Sequence, residues 1–209
     1  MKKLDLRKQF KELYTPPSKN VVTVDVPKFN FLMIDGVGDP NTAQEYQDAL
    51  AALYAVAYTL KFTFKLKIKP AIDYPVMALE GLWWVKDVET ITMEQLMGRR
   101  DEWQWTMMIM QPDFITRPLV KQAIAEVIEK RGDSPALEKI RLESFREGLS
   151  AQVMHIGPYS AEAPNIERLH NYIIESGHQL RGKHHEIYLG DPGRTKPEKL
   201  KTVLRQPMK

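Results

Sequence analysis

The sequence predicts an α+β fold made of two related halves packed on one core. Alternating apolar strands and amphipathic helices follow one another in the order strand–helix–strand–strand, and this order occurs twice along the chain. Gly157-Pro158-Tyr159 closes a strand 119 residues after Gly38-Asp39-Pro40 closes an earlier one, and a helix follows each turn. Few residues match identically, so the repeat is one of pattern. We expect a first repeat at about 21–115 and a second at about 116–209.

The first repeat begins where Val22, Val24 and Val26 alternate with polar residues, which is typical of a strand. An apolar run then reaches the glycine turn at 36–40. Thr42 followed by Glu45 is a capping-box signature and predicts that a helix begins there. Further strands are predicted at 75–85 and 103–110, the second ended by a proline.

The second repeat begins with a helix that Thr116 can cap and that Gly132 ends. The segment 136–146 is ambiguous between helix and strand. A strand at 151–156, a helix at about 163–176 and strands at 184–189 and 202–205 complete the repeat. The first 20 residues are basic and end in a breaker cluster, so we expect an N-terminal arm at 1–20 and one domain at 21–209.

Composition excludes several classes of protein. The 209 residues contain no cysteine, which excludes disulfides, thiolate nucleophiles, iron–sulfur clusters and cysteine-ligated zinc. A formal net charge of +3 is too balanced to indicate a nucleic-acid partner. We find no signal-peptide pattern and no stretch approaching the roughly 20 apolar residues of a membrane span, so we expect a cytoplasmic protein without a membrane partner. The sequence carries no prediction of oligomeric state.

All four tryptophans fall within 23 positions, at Trp83, Trp84, Trp103 and Trp105, and most of the ten methionines lie near them or on comparable strands. Flat rings and soft sulfur can line an adaptable apolar pocket, and core packing is the alternative. In a regular strand Trp83 and Trp84 point to opposite faces, so at most one of them lines a pocket directly. Trp105 shares a face with Trp103, and its assignment depends on the strand register.

One acidic side chain lies on a strand that should be central. Strand alternation puts Glu186 and Tyr188 on one face, with Ile187 and Leu189 on the other. If the aliphatic pair faces the helices, Glu186 faces the opposite side of the sheet. Glu80 occupies a similar place in the first half. Desolvating such a carboxylate is costly unless it is paired or borders a cavity, so a salt bridge and a ligand site are the two alternatives.

The sequence contains no complete signature of a phosphate-binding or metal site. The loop at 177–184 resembles a phosphate-binding loop, but His184 occupies the Ser or Thr position and the loop follows a helix. His184 and His185 cannot easily hold one metal ion, because adjacent residues of a strand point apart. We therefore expect no metal.

Four blocks together resemble the stand-alone GyrI-like proteins, and the resemblance covers nearly all of the chain after residue 20. The blocks are Leu79-Glu80-Gly81-Leu82-Trp83-Trp84, the segment from Met108 to Phe114, the segment from Gln152 to Tyr159, and the segment from His184 to Pro192. The tail from Lys196 to Pro207 is similar as well. This family is related to the sensing domains of multidrug-responsive regulators and to the SOUL haem-binding fold.

The resemblance implies a duplicated β-α-β-β fold with a groove between its halves. It also implies that the groove is aromatic, accepts flat drug-like compounds and has an acidic floor, which Glu186 matches. Some similar stand-alone members are hydrolases that open the strained cyclopropane of DNA-alkylating cyclopropanoid cyclohexadienones and so protect the bacterial cell. The chain shows no helix-turn-helix segment before the fold and no defensible axial haem ligand, so we expect neither DNA binding nor a cofactor.

Two hypotheses follow for this groove. In a hydrolase, Glu186 is the general base, with a pKa raised by its aromatic surroundings, and Tyr159 or Tyr188 donates a hydrogen bond to the developing phenolate. In a non-catalytic binder, Glu186 is a counter-charge for a flat hydrophobic or cationic ligand. The residues predicted to contact the ligand are Glu80, Trp83, Trp84, Trp105, Met108 and Tyr188, with Glu186 and Tyr159 as the catalytic pair.

Overall fold

The computed structural model describes residues 1–86 and 99–209; the segment 87–98, which contains Met93 and Met97 of the methionine group, lies outside the described residues. Its strands are β1 (Lys2–Lys3), β2 (Val22–Val37), β3 (Ile72–Asp73), β4 (Leu79–Val85), β5 (Trp103–Gln111), β6 (Arg141–Ile156), β7 (His184–Tyr188) and β8 (Lys201–Pro207). Its α-helices are α1 (Leu6–Gln9), α2 (Lys11–Tyr14), α3 (Gln44–Phe62), α4 (Arg117–Arg131), α5 (Pro135–Glu138) and α6 (Ala163–Glu175).

Six strands form a closed barrel in the order β2, β5, β4, β7, β8, β6. All of its neighbouring strands pair antiparallel. The first half supplies β2, α3, β4 and β5, and the second supplies β6, α6, β7 and β8. The predicted α+β class and the repeated β-α-β-β order are therefore confirmed. The halves meet at two seams, β4 with β7 and β2 with β6, which close the sheet on itself.

Local signals predicted some element ends correctly and one incorrectly. Gly132 ends α4 with a φ of 86°, a value that glycine adopts without strain. The capping box at Thr42 is wrong, because Ala43 occupies the N-cap of α3 without a side-chain hydrogen bond. Glu45 instead forms an ion pair with Lys139, at 2.5 Å. The ambiguous segment 136–146 divides into the short helix α5 and the start of β6.

The two long repeat helices lie on the same outer surface of the barrel. Helix α3 contacts β2 and β5, and α6 contacts β6 and β8. Strands β4 and β7 lie between these pairs in the sheet order. The outer face of β4 and β7 therefore forms the floor of a groove between α3 and α6. We call this floor the groove face and define it by Gly81, Trp83, His184, Glu186 and Tyr188.

Helix α3 with the π-helical turn that follows it, Gln44–Lys67, is long and apolar enough to cross a membrane by length and composition alone, which the sequence did not lead us to expect. Its buried residues, among them Leu53, Val56 and Leu60, belong to the main core. Burial of a helix face against the sheet accounts for this composition.

The barrel interior contains a buried chain of charged groups. Tyr14 donates a hydrogen bond to Glu80 at 3.0 Å. Nε2 of His185 lies 3.0 Å from the other oxygen of Glu80, and Nδ1 of His185 lies 3.0 Å from Glu147. Arg205 reaches Glu147 at 3.1 Å. Two carboxylates therefore face an imidazolium and a guanidinium, so the charges within this buried cluster balance.

Mutual pairing keeps His185 and Glu147 ionised despite burial. Burial alone would lower the pKa of His185, but Glu147 and Glu80 outweigh it and raise that pKa to about 9. Burial alone would raise the pKa of Glu147, but His185 and Arg205 lower it to about 2. Because each charge is satisfied only by its neighbours, removal of one leaves an uncompensated ion in the core.

The charge on His185 predicts a pH-dependent stability. Its folded pKa lies above the ordinary 6.5, so its contribution is complete below about pH 6.5 and is lost as the pH rises towards about 9. We expect the free energy of unfolding, measured by urea titration, to fall across this window less steeply in His185→Gln than in the unaltered protein. His178→Gln, near the exposed end of α6, is the matched control. Identical slopes in all three proteins would show that His185 is neutral in the fold.

A close contact between Gly36 and Trp105 predicts a second stability effect. A Cβ added to Gly36 would lie 2.1 Å from the indole ring of Trp105, which is fully buried. We expect Gly36→Ala to lower the free energy of unfolding by about 1–3 kcal/mol, because the ring must move within a packed core. Gly190→Ala, whose new Cβ meets its nearest neighbour at an ordinary 3.4 Å, is the control. Equal denaturation midpoints for the two variants would contradict the contact.

Candidate functional site

The register of β4 and β7 decides which side chains share the groove face. Glu186 lies opposite Gly81 on β4 and opposite Leu204 on β8. Leu204 belongs to the apolar cluster beneath α6. Residues directly opposite one another in a sheet project to the same side, so Glu186 projects to the helical side. Because Gly81 has no side chain, it leaves space beside the carboxylate of Glu186.

A hydrogen-bonded chain crosses the groove face. Nε1 of Trp83 donates to the hydroxyl of Tyr188 at 3.0 Å, and this hydroxyl donates to Oε2 of Glu186 at 2.7 Å. Nε2 of His184 lies 3.5 Å from the other oxygen of Glu186. The Glu186 side chain keeps 15% of its surface exposed. The carboxylate is thus fixed in orientation and still reachable from the groove.

Aromatic rings surround this carboxylate. The Tyr46 ring on α3 lies 6.1 Å from Trp83 and 5.3 Å from Trp105, measured between centroids. On the opposite side, Tyr159 packs edge-on against Tyr188 at 5.6 Å and remains 39% exposed. The floor beside Glu186 is thus bordered by aromatic rings on both sides.

The phenols of the groove hold their protons. Burial, then the charges of Glu162 and Glu186, raise the pKa of Tyr159 to about 12. Burial and the neighbouring Glu186 raise the pKa of Tyr188 well above its ordinary value. Both hydroxyls therefore act as hydrogen-bond donors at neutral pH.

The prediction that Glu186 and Tyr188 share a face is confirmed, while the condition attached to it, that Ile187 faces the helices, is not met. Ile187 is fully buried within the barrel. Because the sheet closes into a barrel, its aliphatic side is the interior and its helical side carries the groove.

Three of the predicted ligand-contacting residues do not lie on the groove face. Glu80 and Met108 are paired across β4 and β5, and both project into the barrel. Glu80 is held there by Tyr14 and His185. Trp84 projects to the side opposite Trp83, and Nζ of Lys183 lies 3.2 Å from its ring centroid. Alternation within one strand separated the two tryptophans as expected, but Glu80 and Glu186 lie on different strands, whose facing depends on the register.

The remaining predicted residues come together. Trp83, Tyr159, Tyr188 and Glu186 form the cluster described above. Trp105 lies on the same side, opposite Trp83, but it is fully buried between Gly36 and Tyr46. It therefore lies beneath α3 at the edge of the groove, against Tyr46.

Sequence reasoning missed three residues of the site: Tyr46, His184 and Glu162. Tyr46 lies on the apolar face of α3, and apolar spacing along a helix does not distinguish core from groove. His184 lies on the same strand face as Glu186, a placement that alternation alone could have found. Glu162 immediately precedes α6, where acidic residues are ordinarily solvated, so no local signal indicated that it is only 4% exposed.

Within residues 1–86 and 99–209, no three histidine or acidic side chains converge closely enough to hold a metal ion. His184 and Glu186 point to the groove, while His185 points into the barrel. The predicted divergence of the adjacent histidines is therefore confirmed.

Comparison with known proteins identifies relatives of this chain. Residues 119–209 match the family model of the GyrI-like small molecule binding domain. An uncharacterised conserved protein from Listeria innocua is 37% identical, with a TM-score of 0.88 over 99% of this chain and 100% of its own. A hydrolase from Listeria innocua is 36% identical, with a TM-score of 0.83 over the same shares of the two chains. No curated protein matches this chain.

A more distant likeness concerns the fold alone. The C-terminal domain of EcmrR is 10% identical, with a TM-score of 0.56 over 91% of this chain and 97% of its own.

The family match covers the part of the chain that supplies Glu186, Tyr188 and Tyr159, and the Listeria proteins match the chain throughout. The chain belongs to the GyrI-like small-molecule-binding family.

Proposed function

We propose that this protein binds flat, hydrophobic small molecules on the groove face and hydrolyses electrophilic cyclopropanoid compounds there. The observation that carries the proposal is the position of Glu186, a partly exposed carboxylate oriented by Tyr188 on an aromatic floor. Two Listeria innocua structures of similar sequence, each 36% identical, are those of hydrolases, which supports a hydrolytic reaction.

Binding would depend on the aromatic walls. A flat molecule on Trp83 would contact Tyr46 on the α3 side and Tyr159 on the α6 side. Each aromatic pair contributes about 0.5–1.5 kcal/mol beyond the burial of its area. Such contacts select for shape and tolerate different substituents, as a binder of varied compounds requires.

The reaction needs little covalent chemistry from the protein because the strained ring is already reactive. Glu186 would accept a proton from water as the water oxygen bonds to the ring methylene. The breaking carbon–carbon bond would deliver its electron pair to the dienone, so negative charge would develop on the carbonyl oxygen. The protonated, exposed hydroxyl of Tyr159 would stabilise that oxygen, since the hydroxyl of Tyr188 already donates to Glu186.

A non-catalytic binder is the second candidate, and one observation favours it. Among the described residues, the basic group within ion-pair distance of Glu186 is His184, which is charged only if protonated. A carboxylate without a lysine or arginine partner can serve as the counter-charge for a cationic aromatic ligand.

Replacement of Glu186 tests the catalytic role. We expect Glu186→Gln to lower kcat for ring opening by ~10²–10⁴-fold, because the amide cannot accept the proton of water. Affinity for a neutral flat aromatic compound should be retained. Mass spectrometry of the water adduct formed from a cyclopropanoid electrophile measures turnover, and tryptophan fluorescence measures binding.

Glu175→Gln, at the exposed end of α6, is the matched control. Full turnover by Glu186→Gln would eliminate the general-base mechanism. Absence of turnover in the unaltered protein, with a loss of affinity by Glu186→Gln for cationic aromatic compounds alone, would establish the non-catalytic binder instead.

A further inference from the structure

A second carboxyl group lies beside Glu186 and has no role in the scheme above. Glu162 follows the 3₁₀ turn Tyr159–Ala161 and immediately precedes α6. The residue is 4% exposed, and its Oε1 is buried without a hydrogen-bond partner among the described residues. A carboxylate in such surroundings would be strongly destabilised, whereas a neutral carboxylic acid would not.

The groups that face Glu162 do not favour its ionisation. Glu186 and Tyr188 face it from β7, Tyr159 from its own turn and Thr202 from β8. The charged member of this set is Glu186, which has the same sign. Burial and then repulsion by Glu186 raise the pKa of Glu162 to about 9, and the hydroxyl of Thr202 only partly offsets them.

Two carboxyl groups that interact with each other therefore lie in different surroundings. Glu186 is partly exposed and accepts a hydrogen bond from Tyr188. Glu162 is enclosed, and its Oε1 lacks a partner among the described residues. When surroundings separate two neighbouring acids in this way, one serves as the base and the other as the acid of a reaction.

We propose that Glu162 is the proton store of the groove and supplies, through the hydroxyl of Tyr159, the proton that ends on the substrate oxygen. This inference rests on the proposed function. Tyr159 is suited to the transfer because the N–H of Glu162 donates to the Tyr159 carbonyl at 3.1 Å, the Glu162 charge acts on the Tyr159 hydroxyl, and the Tyr159 side chain is exposed. Glu162 is itself enclosed, so it acts through Tyr159 as a positioning residue.

The proton balance closes over one turnover. Water gives a proton to Glu186 while its oxygen forms the new bond to the ring methylene. The electron pair of the broken carbon–carbon bond reaches the dienone oxygen, which takes the Tyr159 proton and becomes a phenol. Tyr159 takes the proton of Glu162, and the proton on Glu186 then returns to Glu162. The net change is the addition of one water molecule.

The activity test is a pH profile of kcat and KM for the unaltered protein, Glu162→Gln and Glu167→Gln, an exposed control on the same helix. We expect kcat of the unaltered protein to fall at alkaline pH as Glu162 loses its proton. In Glu162→Gln we expect kcat to be ~10²–10³-fold lower, without the alkaline fall, and KM to change little. Tyr159→Phe should show a similar loss, and the double variant should lose little more.

A measurement independent of turnover is the pH dependence of unfolding. Glu162 remains protonated in the fold up to about pH 9, whereas in the unfolded chain it ionises above its ordinary 4.5. The free energy of unfolding should therefore fall with rising pH between these values, with the slope expected for the release of up to one proton on unfolding. Glu162→Gln should remove that slope, and Glu167→Gln should retain it.

The outcomes separate the two proposals. Turnover by the unaltered protein with an unchanged pH profile in Glu162→Gln overturns the inference and leaves the proposed function intact. Absence of turnover overturns the proposed function, and the unfolding slopes still decide whether Glu162 holds a proton. If Glu162→Gln does not fold, a carboxyl-carbon NMR titration of the unaltered protein decides: a glutamate signal titrating near pH 9 supports the inference, and its absence overturns it.

Discussion

The pairing of β4 with β7 is the constraint on which both the core and the groove depend. At this seam the two halves of the chain meet edge to edge, and alternation sends successive side chains to opposite sides. Glu80 and His185 enter the barrel, where Glu147 and Arg205 complete a neutral set of charges. Glu186 and Tyr188 face the groove. A slip of β7 alone by one residue would send His185 to the groove and Glu186 into the barrel, so that Glu80 and Glu147 would lose their shared imidazolium and the groove would lose its carboxylate.

Local periodicity was sufficient to predict the order of elements from the sequence. The helices at α4 and α6 and the strands at β4, β5, β7 and β8 follow from apolar spacing and from turn residues such as Gly132. Both repeats were visible because each is a local unit. The capping box is absent because α3 begins after Ala43 and Glu45 pairs with Lys139, so it does not close the first turn of α3.

The site was predicted only in part, because it depends on which side of a closed sheet each residue occupies. Alternation on one strand correctly grouped Glu186 with Tyr188 and separated Trp83 from Trp84. It could not say which side carries the helices, since that requires the pairing of strands more than a hundred residues apart. The equivalence assumed between Glu80 and Glu186 failed for this reason. Enclosure of Glu162 likewise results from the docking of α6 on the sheet, which no short stretch of sequence encodes.

The contacts of helix α2 at the N-terminal end have a consequence for how the chain folds. The carbonyl of Leu13 accepts a hydrogen bond from Arg205, a contact between residues 192 positions apart, and Tyr14 reaches Glu80 within the same enclosure. Joining such remote positions carries a large loop-closure entropy, and contacts of this kind make folding slow. The buried ion pairs are therefore fully partnered only when residues 13–14 and Arg205, from opposite ends of the chain, are both in place.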